Sequence, residues 1–299
     1  MTPQEITVAE LATLLRVSIH TVQTWVKQGR YLSQKNEAGT TFFYLKDLQT
    51  LPPIREMLHS QWFEELGTKP HRSYSSIELF AGAGGLALGM EKAGFNHIML
   101  NEIEHDACQT LKKNRPQWNI IEGNVQLLNF SSFRGKVDLL TGGFPCQAFS
   151  YAGNKGGFTD TRGTLFFELA RAIEEIKPRV VMCENVRGLL SHDKGRTLDV
   201  IKKTIEELGY HLFDPKVLQA VQYQVPQKRE RLILIAIRND LMRHAHFRWP
   251  APYNRIMNLR DAFFAGELYS CDVPKSDGQR YPEKKEKIMS LVPMGENWR

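Results

Sequence analysis

Cysteine is scarce in this 299-residue chain, at four residues, and none of Cys108, Cys146, Cys183 and Cys271 falls in a Cys-x-x-Cys pair. That spacing excludes a disulfide framework and a structural zinc site as the basis of the fold, and it points to a reducing cytoplasm. Long apolar runs are missing too. No stretch approaches the roughly 18 consecutive apolar residues of a membrane span, and residues 1–30 mix charge with apolar residues instead of forming a signal-peptide core. Low-complexity tracts and internal repeats are absent. What is present is globular material, 42% hydrophobic and 24% charged. At roughly 100–200 residues per domain, the length fits one large domain and one small one. The net charge of +6 permits an anionic partner without identifying it.

The small domain is expected at residues 1–51. Thr7 is a plausible N-cap for a helix from Val8 to Leu15, with Glu10 completing a capping box. Ser18 can cap a second helix, Ile19 to Lys27, which Gly29 stops. Two short helices separated by Arg16, Val17 and Ser18 predict a helix-turn-helix. Its second helix would expose His20, Thr21, Gln23, Thr24 and Lys27, side chains suited to groove edges and phosphates. Gly29 to Tyr44 reads as a β-wing and Leu45 to Leu51 as a short helix. The whole resembles the winged helix of MerR-like and excisionase regulators, although a three-helix docking domain fits the same pattern.

Residues 52–73, with Pro52-Pro53, a helix from Ile54 to Leu66 and a polar tail, read as a linker. From residue 74 to 249, strands alternate with helices of 10–15 residues, which predicts an α/β domain with a mostly parallel sheet. Ligands in such sheets bind beyond the carboxyl ends of the strands.

Four segments sit at those ends. The first is Ile77 to Leu86, a strand running into the glycine turn Gly82-Ala83-Gly84-Gly85 and then a helix. Glycines admit a close ligand and the helix start offers free amides, though plain tight turns share the pattern. Glu102 follows the next strand, placed to accept from ribose hydroxyls, and Asn124 follows the third, placed for an adenine edge. No Lys-Ser/Thr of a P-loop is present, so an adenosine-containing ligand fits better than a nucleoside triphosphate. The second segment, Gly142 to Ser150, presents Cys146 on a Gly- and Pro-constrained loop. Cys146 reads as a nucleophile or as a small buried apolar residue. Cys108 and Cys183, inside a helix and a strand, read as buried. The third segment is Glu184-Asn185-Val186, and the fourth is Gln227 to Arg231, whose alternation puts Arg229 and Arg231 on one side.

Taken in order, the glycine turn, Phe144-Pro145-Cys146-Gln147, Glu184-Asn185-Val186 and Gln227-Lys228-Arg229-Glu230-Arg231 resemble the DNA cytosine-5 methyltransferases, from Ile77 to Arg238. Gly163 to Phe167 matches as well. The resemblance implies a Rossmann-like S-adenosylmethionine-dependent methyltransferase sheet with one antiparallel strand, and double-stranded DNA as substrate. It implies Cys146 as the nucleophile on C6 of a flipped base, with Glu184 at N3 and Arg231, with Arg229 alongside, at O2. For S-adenosylmethionine it implies Phe80 near adenine, Ala83 and Gly85 as backbone contacts, Glu102 at the ribose and Asn124 at the adenine edge, with Ile103, Pro145 and Leu165 lining the pocket. Ser150 to Arg162 would be a loop that closes over DNA. Three departures stand out: Glu78 where Asp is usual, Asn124 where Asp is usual, and Ile103 where some members carry an aromatic residue.

The family's final Gly-Asn-Ser/Ala-Val motif is absent before Arg299. Residues 250–299 would then be the start of a target-recognition region, in a fragment or in a subunit completed by a second polypeptide. The expected activity is methylation within a restriction–modification system. The alternative is a transcriptional autoregulator with an incomplete methyltransferase domain. A tRNA-directed enzyme fits less well, because those relatives carry Pro-Pro-Cys where this chain has Phe144-Pro145-Cys146.

Overall fold

The computed structural model describes residues 4–145, 165–268, 270–273 and 282–291. Two compact units divide the chain, Met1–Ile256 and Met257–Arg299. The first contains both the small domain and the α/β sheet.

In the small domain, β1 (Glu5–Thr7) leads into α1 (Val8–Leu15). Thr7 caps α1, and Glu10 returns the bond to complete the capping box. Ser18 caps α2 (Ile19–Lys27) by accepting from the Thr21 amide. The wing is β2 (Gln34–Lys35) paired with β3 (Thr41–Tyr44), and β1 joins as the third strand in the order β1-β3-β2. Leu11, Leu14, Val22, Phe43, Leu45 and Leu48 form the core. On α2, His20, Gln23 and Lys27 are exposed, whereas Thr21 and Thr24 are half-buried with hydroxyls bonded to Ser18 and to the His20 carbonyl.

The expected linker is part of this core. Instead of one helix from Ile54 to Leu66, there are α3 (Pro52–Leu58) and α4 (Trp62–Leu66). Ile54 and Met57 lie in the small-domain core at 0% and 1% exposure. Pro52-Pro53 begins the helix, where a missing N–H does no harm, and does not mark a spacer. Residues 250–256 also belong here and not to a separate recognition region. Tyr253 is buried against Trp62 and Phe63, and Ile256 packs on the small-domain core. The Ala251 amide donates to Glu65, and Ser60 donates to the Pro252 carbonyl.

The large sheet comprises β4 (Tyr74–Leu79), β5 (Phe95–Glu102), β6 (Ile120–Glu122), β7 (Leu139–Gly142), β8 (Val180–Val186), β9 (Tyr210–Leu212), β10 (Lys216–Gln219) and β11 (Glu230–Arg238). Its order is β10-β11-β8-β7-β4-β5-β6, with β9 also paired to β11. All neighbours from β6 to β8 are parallel, and β11 runs against β8, β9 and β10, which makes it the one reversed strand. β9, which the sequence reading passed over, is three residues long and caps the far end of β11. One face of the sheet buries Ile77, Leu140, Val181, Leu232 and Leu234 under α7 (Leu165–Ile176) and α8 (Arg196–Glu207). These helices present apolar stripes at helical spacing, Phe166, Leu169, Ile173 and Ile176 on one and Leu198, Ile201 and Ile205 on the other. The opposite face buries Leu100 under α5 (Gly85–Lys92) and α6 (His105–Asn114). Cys108 and Cys183 are both buried, and burial pushes the Cys183 thiol up to about 12.

The two domains are latched together. Arg16 pairs with Glu230 at 2.6 Å and donates to the Val217 carbonyl at 3.3 Å. Gln219 donates to the Leu14 carbonyl at 3.3 Å, and Lys216 lies 3.8 Å from Glu56. In the second unit, α9 (Leu259–Phe263) carries an Asn258–Asp261 capping box, and α10 (Glu283–Ser290) is a charged helix. No helix among the described residues is long and apolar enough to cross a membrane.

Because Met57 is a core residue, Met57→Ala should destabilise the chain by about 2–5 kcal/mol in a denaturant titration. A loss below about 0.5 kcal/mol, the range of neutral surface changes, would restore the linker reading.

Candidate active site

Strand order reverses at β4, whose neighbours β5 and β7 lead in opposite directions, so a crevice opens beyond its carboxyl end. The glycine turn enters that crevice. Phe80 begins it at φ +60°, a left-handed conformation uncommon for a bulky residue and a known mark of functional strain. Gly84 ends it at φ +88°, and a Cβ there would stand 2.5 Å from a Leu111 methyl. Only glycine satisfies both the dihedral and the approach of α6.

Glu102, at the end of β5, holds the turn. Its Oε2 accepts from the Gly82 amide at 2.6 Å, and its Oε1 accepts from Ile103 and Glu104 at 2.8 and 3.0 Å. An ionised carboxylate has about four lone-pair sites. Three are filled here, which leaves room for one further donor. Asn101, 2% exposed, extends the stitching by donating to the Ile121 and Gly123 carbonyls, both at 3.0 Å. Sequence reasoning passed over Asn101. The signal is a polar residue directly before the acid, after the apolar run Ile98-Met99-Leu100. Ile103 leaves 61% of its side chain open beside Glu102. Asn124 is committed locally, since its carbonyl caps a short 3-10 turn through the Gln126 amide and its NH2 group meets the Gln126 carbonyl. Ala83 and Gly85 are exposed, and Phe80 and Leu165 are half-buried.

The second half of the site gathers at the ends of β7, β8 and β11. Arg231 and Glu184 lie diagonally across the antiparallel β8–β11 pair, and Nε of Arg231 meets Oε1 of Glu184 at 2.5 Å. Arg229 approaches the same oxygen at 3.8 Å. The other oxygen, Oε2, stands 3.3 Å from where a Cβ on Gly143 would lie, so Gly143 keeps the carboxylate uncrowded beside the loop. Asn185, 2% exposed, donates to the Phe144 carbonyl at 2.9 Å and accepts from the Val186 amide. It fixes the chain one residue before the exposed Pro145, a role the sequence reading did not assign. Cys146, and Ser150 to Arg162, lie outside the described residues. Arg229, Arg231 and Glu184 therefore come together with the Gly143–Pro145 loop, while Phe80, Gly85, Glu102, Ile103 and Asn124 border the crevice on the other side of β4.

The family model for C-5 cytosine-specific DNA methylases matches residues 74–288, and that for MerR HTH family regulatory proteins matches residues 6–61, α3 included. The Type II methyltransferase M.Eco47II of Escherichia coli is 53% identical over 300 residues, covering 100% of this chain and 72% of that protein. M.PspPI of Psychrobacter sp. (strain TA137) is 52% identical over 97% of this chain and 70% of its own length. Both are longer than this chain, and neither supports the expected second polypeptide. Among solved structures, a DNA modification methyltransferase encoded within an E. coli prophage aligns with a TM-score of 0.54 at 26% identity, covering 74% of this chain and 65% of that one.

One acid beneath the crevice has a buried oxygen with no hydrogen-bond partner among the described residues. Glu78 on β4 is 3% exposed, its Oε2 is unbonded, and its register neighbour Thr141 on β7 also has a buried, unbonded hydroxyl. Burial raises the Glu78 pKa from 4.5 to about 8. The folded chain thus keeps a proton that the unfolded chain releases. That stabilisation is complete below pH 4.5 and is lost as pH rises through about 8. The slope is at most about 1.4 kcal/mol per pH unit. Glu78→Gln cannot ionise, so its melting temperature should fall less than that of wild type between about pH 6 and about pH 9. Equal falls in the two proteins would show that Glu78 ionises without penalty.

Proposed function

From membership of the C-5 cytosine-specific DNA methylase family, to which this chain belongs, we propose that it transfers a methyl group from S-adenosylmethionine to C5 of a cytosine in double-stranded DNA, as the modification enzyme of a restriction–modification system in a bacterial cytoplasm. Residues 74–249 would be the catalytic domain and residues 4–66 a DNA-contacting domain. The observation that carries the reading is the Glu184–Arg231 pair beside the Gly143–Pro145 loop.

The crevice residues fit the cofactor. The unfilled site on the Glu102 carboxylate suits a ribose hydroxyl, the exposed Ile103 side chain and Phe80 offer apolar surface to adenine, and the amides at the start of α5 suit a carboxylate. Asn124 would meet the adenine edge with the remaining hydrogen-bonding capacity of its amide, each end of which already makes one bond to Gln126. When bound, S-adenosylmethionine supplies an electrophilic methyl on a sulfonium.

Cytosine C5 is a poor nucleophile, so the chain must first enrich the ring. The Cys146 thiolate adds to C6 of a flipped base, and the electron pair of the C5–C6 bond becomes available at C5. Glu184 donates a proton to N3 through Oε2, the oxygen not held by Arg231, and offsets the charge that the thiolate brings. Arg231, aligned by its pair with Glu184 and by its bond to the Glu230 carbonyl at 2.8 Å, grips the base O2. After C5 is methylated, its proton leaves to a base, the C5–C6 double bond re-forms as the Cys146 thiolate departs, and the N3 proton returns to Glu184.

Incubated with tritiated S-adenosylmethionine and DNA, the enzyme should yield labelled 5-methylcytosine on hydrolysis. Label on N4 would overturn the reading. Cys146→Ala should abolish transfer while leaving S-adenosylmethionine affinity near wild type, because in this reading the thiol serves the chemistry at the base and not the binding of the cofactor. DNA carrying 5-fluorocytosine at the target should trap wild type covalently, since fluorine cannot leave as a proton does. Turnover by the alanine variant would remove Cys146 from the mechanism.

A further inference from the structure

A cleft of about 420 Å³ lies where the small domain meets the catalytic domain. Arg16 and Ile19 line it on one side, and Arg187, Lys228, Arg229 and Glu230 on the other. Four cations thus face a single carboxylate. Glu230 is already bracketed, by Arg16 at 2.6 Å and by Arg187 at 3.1 Å. Lys228 is exposed and has no carboxylate partner among the described residues. The first turn of α2 opens into the same space through Val17, Ser18 and Ile19, and adds the partial positive charge of a helix N-terminus. Such a concentration of positive charge is held against its own repulsion and suits an anion.

Two details tie the cleft to catalysis. Arg229 lines it and also lies 3.8 Å from Glu184, so cleft and active site share a wall. Arg16 sits at the C-cap of α1 at φ +59°, where glycine is the usual occupant and other residues are strained by about 1–2 kcal/mol. A guanidinium stands there and latches α2 onto the catalytic domain through Glu230.

We propose that this cleft binds a backbone phosphate of the same duplex whose cytosine is methylated, so that the small domain is a fixed part of the catalytic DNA interface and not a separately acting operator reader. The inference rests on the methyltransferase reading above. The flanking strand passes between the start of α2 and the Lys228–Arg229 segment, and Arg16 serves both as latch and as part of the positive wall.

The test uses the full chain with two substitutions on opposite walls, Lys228→Ala and Ile19→Glu. Ile19 is 48% exposed, and a carboxylate in the first turn favours the helix, so the second variant retains its fold, as an unchanged melting temperature would verify. Binding of a fluorescent random-sequence duplex is measured by anisotropy over a range of KCl concentrations. Each variant should flatten the slope of log K against log [KCl] by about one. Each should also raise KM for DNA in tritium transfer more than it lowers kcat. Unchanged slopes and KM in a wild type that does transfer label would overturn the inference and leave the methyltransferase reading intact. A flattened slope with unchanged KM would also overturn it, by separating this phosphate contact from the methylated duplex. Absence of any transfer by wild type would instead remove the methyltransferase reading, and the shared-duplex claim with it.

Discussion

Three backbone amides converge on the carboxylate of Glu102, and the crevice exists because they do. The turn after β4 must leave the sheet, reverse and deliver α5 with its first amides facing inward. Phe80, Gly82 and Gly84 all adopt positive φ to achieve this. A turn so far from regular geometry needs an external anchor, and one buried acid supplies it. The neighbouring Asn101 carries the same stitching to the loop after β6. The two β5 residues thereby join three strand ends into one rigid rim.

The other half of the site depends on β11. Because this strand alone runs against its neighbours, its beginning, not its end, lies at the ligand side of the sheet. Arg231 therefore enters at the level of Glu184, and the preceding residue, Glu230, points the other way toward the small domain. Alternation along one strand separates the Arg231–Glu184 pair from a domain latch by a single residue. The β10 partner repeats the arrangement, since Gln219, paired with Glu230, reaches Leu14 of α1.

Periodicity and turn chemistry made the alternation of elements legible, along with both capped helices and the strand-end positions of Glu102, Glu184 and Arg231. The misreadings share a cause. Pro52-Pro53 looks like a spacer because proline breaks structure within a helix, yet at a helix start it is well tolerated, and only tertiary packing reveals that Ile54 and Met57 are core. Residues 250–256 carry no helical or strand pattern, so nothing local announces that Tyr253 is buried. The roles of Asn101 and Asn185 were hidden for a different reason. An asparagine in a strand signals an unusual hydrogen bond but not its partner, and both partners here lie on other strands or loops.

Glu78 stands on β4 where the resemblance expects an aspartate. The longer side chain reaches further from β4 into a region where Thr141 is also unbonded, and neither finds a partner among the described residues. Two unsatisfied polar groups on adjacent strands are an energetic liability of about 1–3 kcal/mol each. Buried unsatisfied groups are few in folded proteins, so this pair calls for a structural explanation. On the sheet, the two strands lie between the stitched rim and the Arg231–Glu184 pair. The glycine turn on one side and the Arg231–Glu184 pair on the other thus bracket the strands that carry the unbonded acid beneath the crevice.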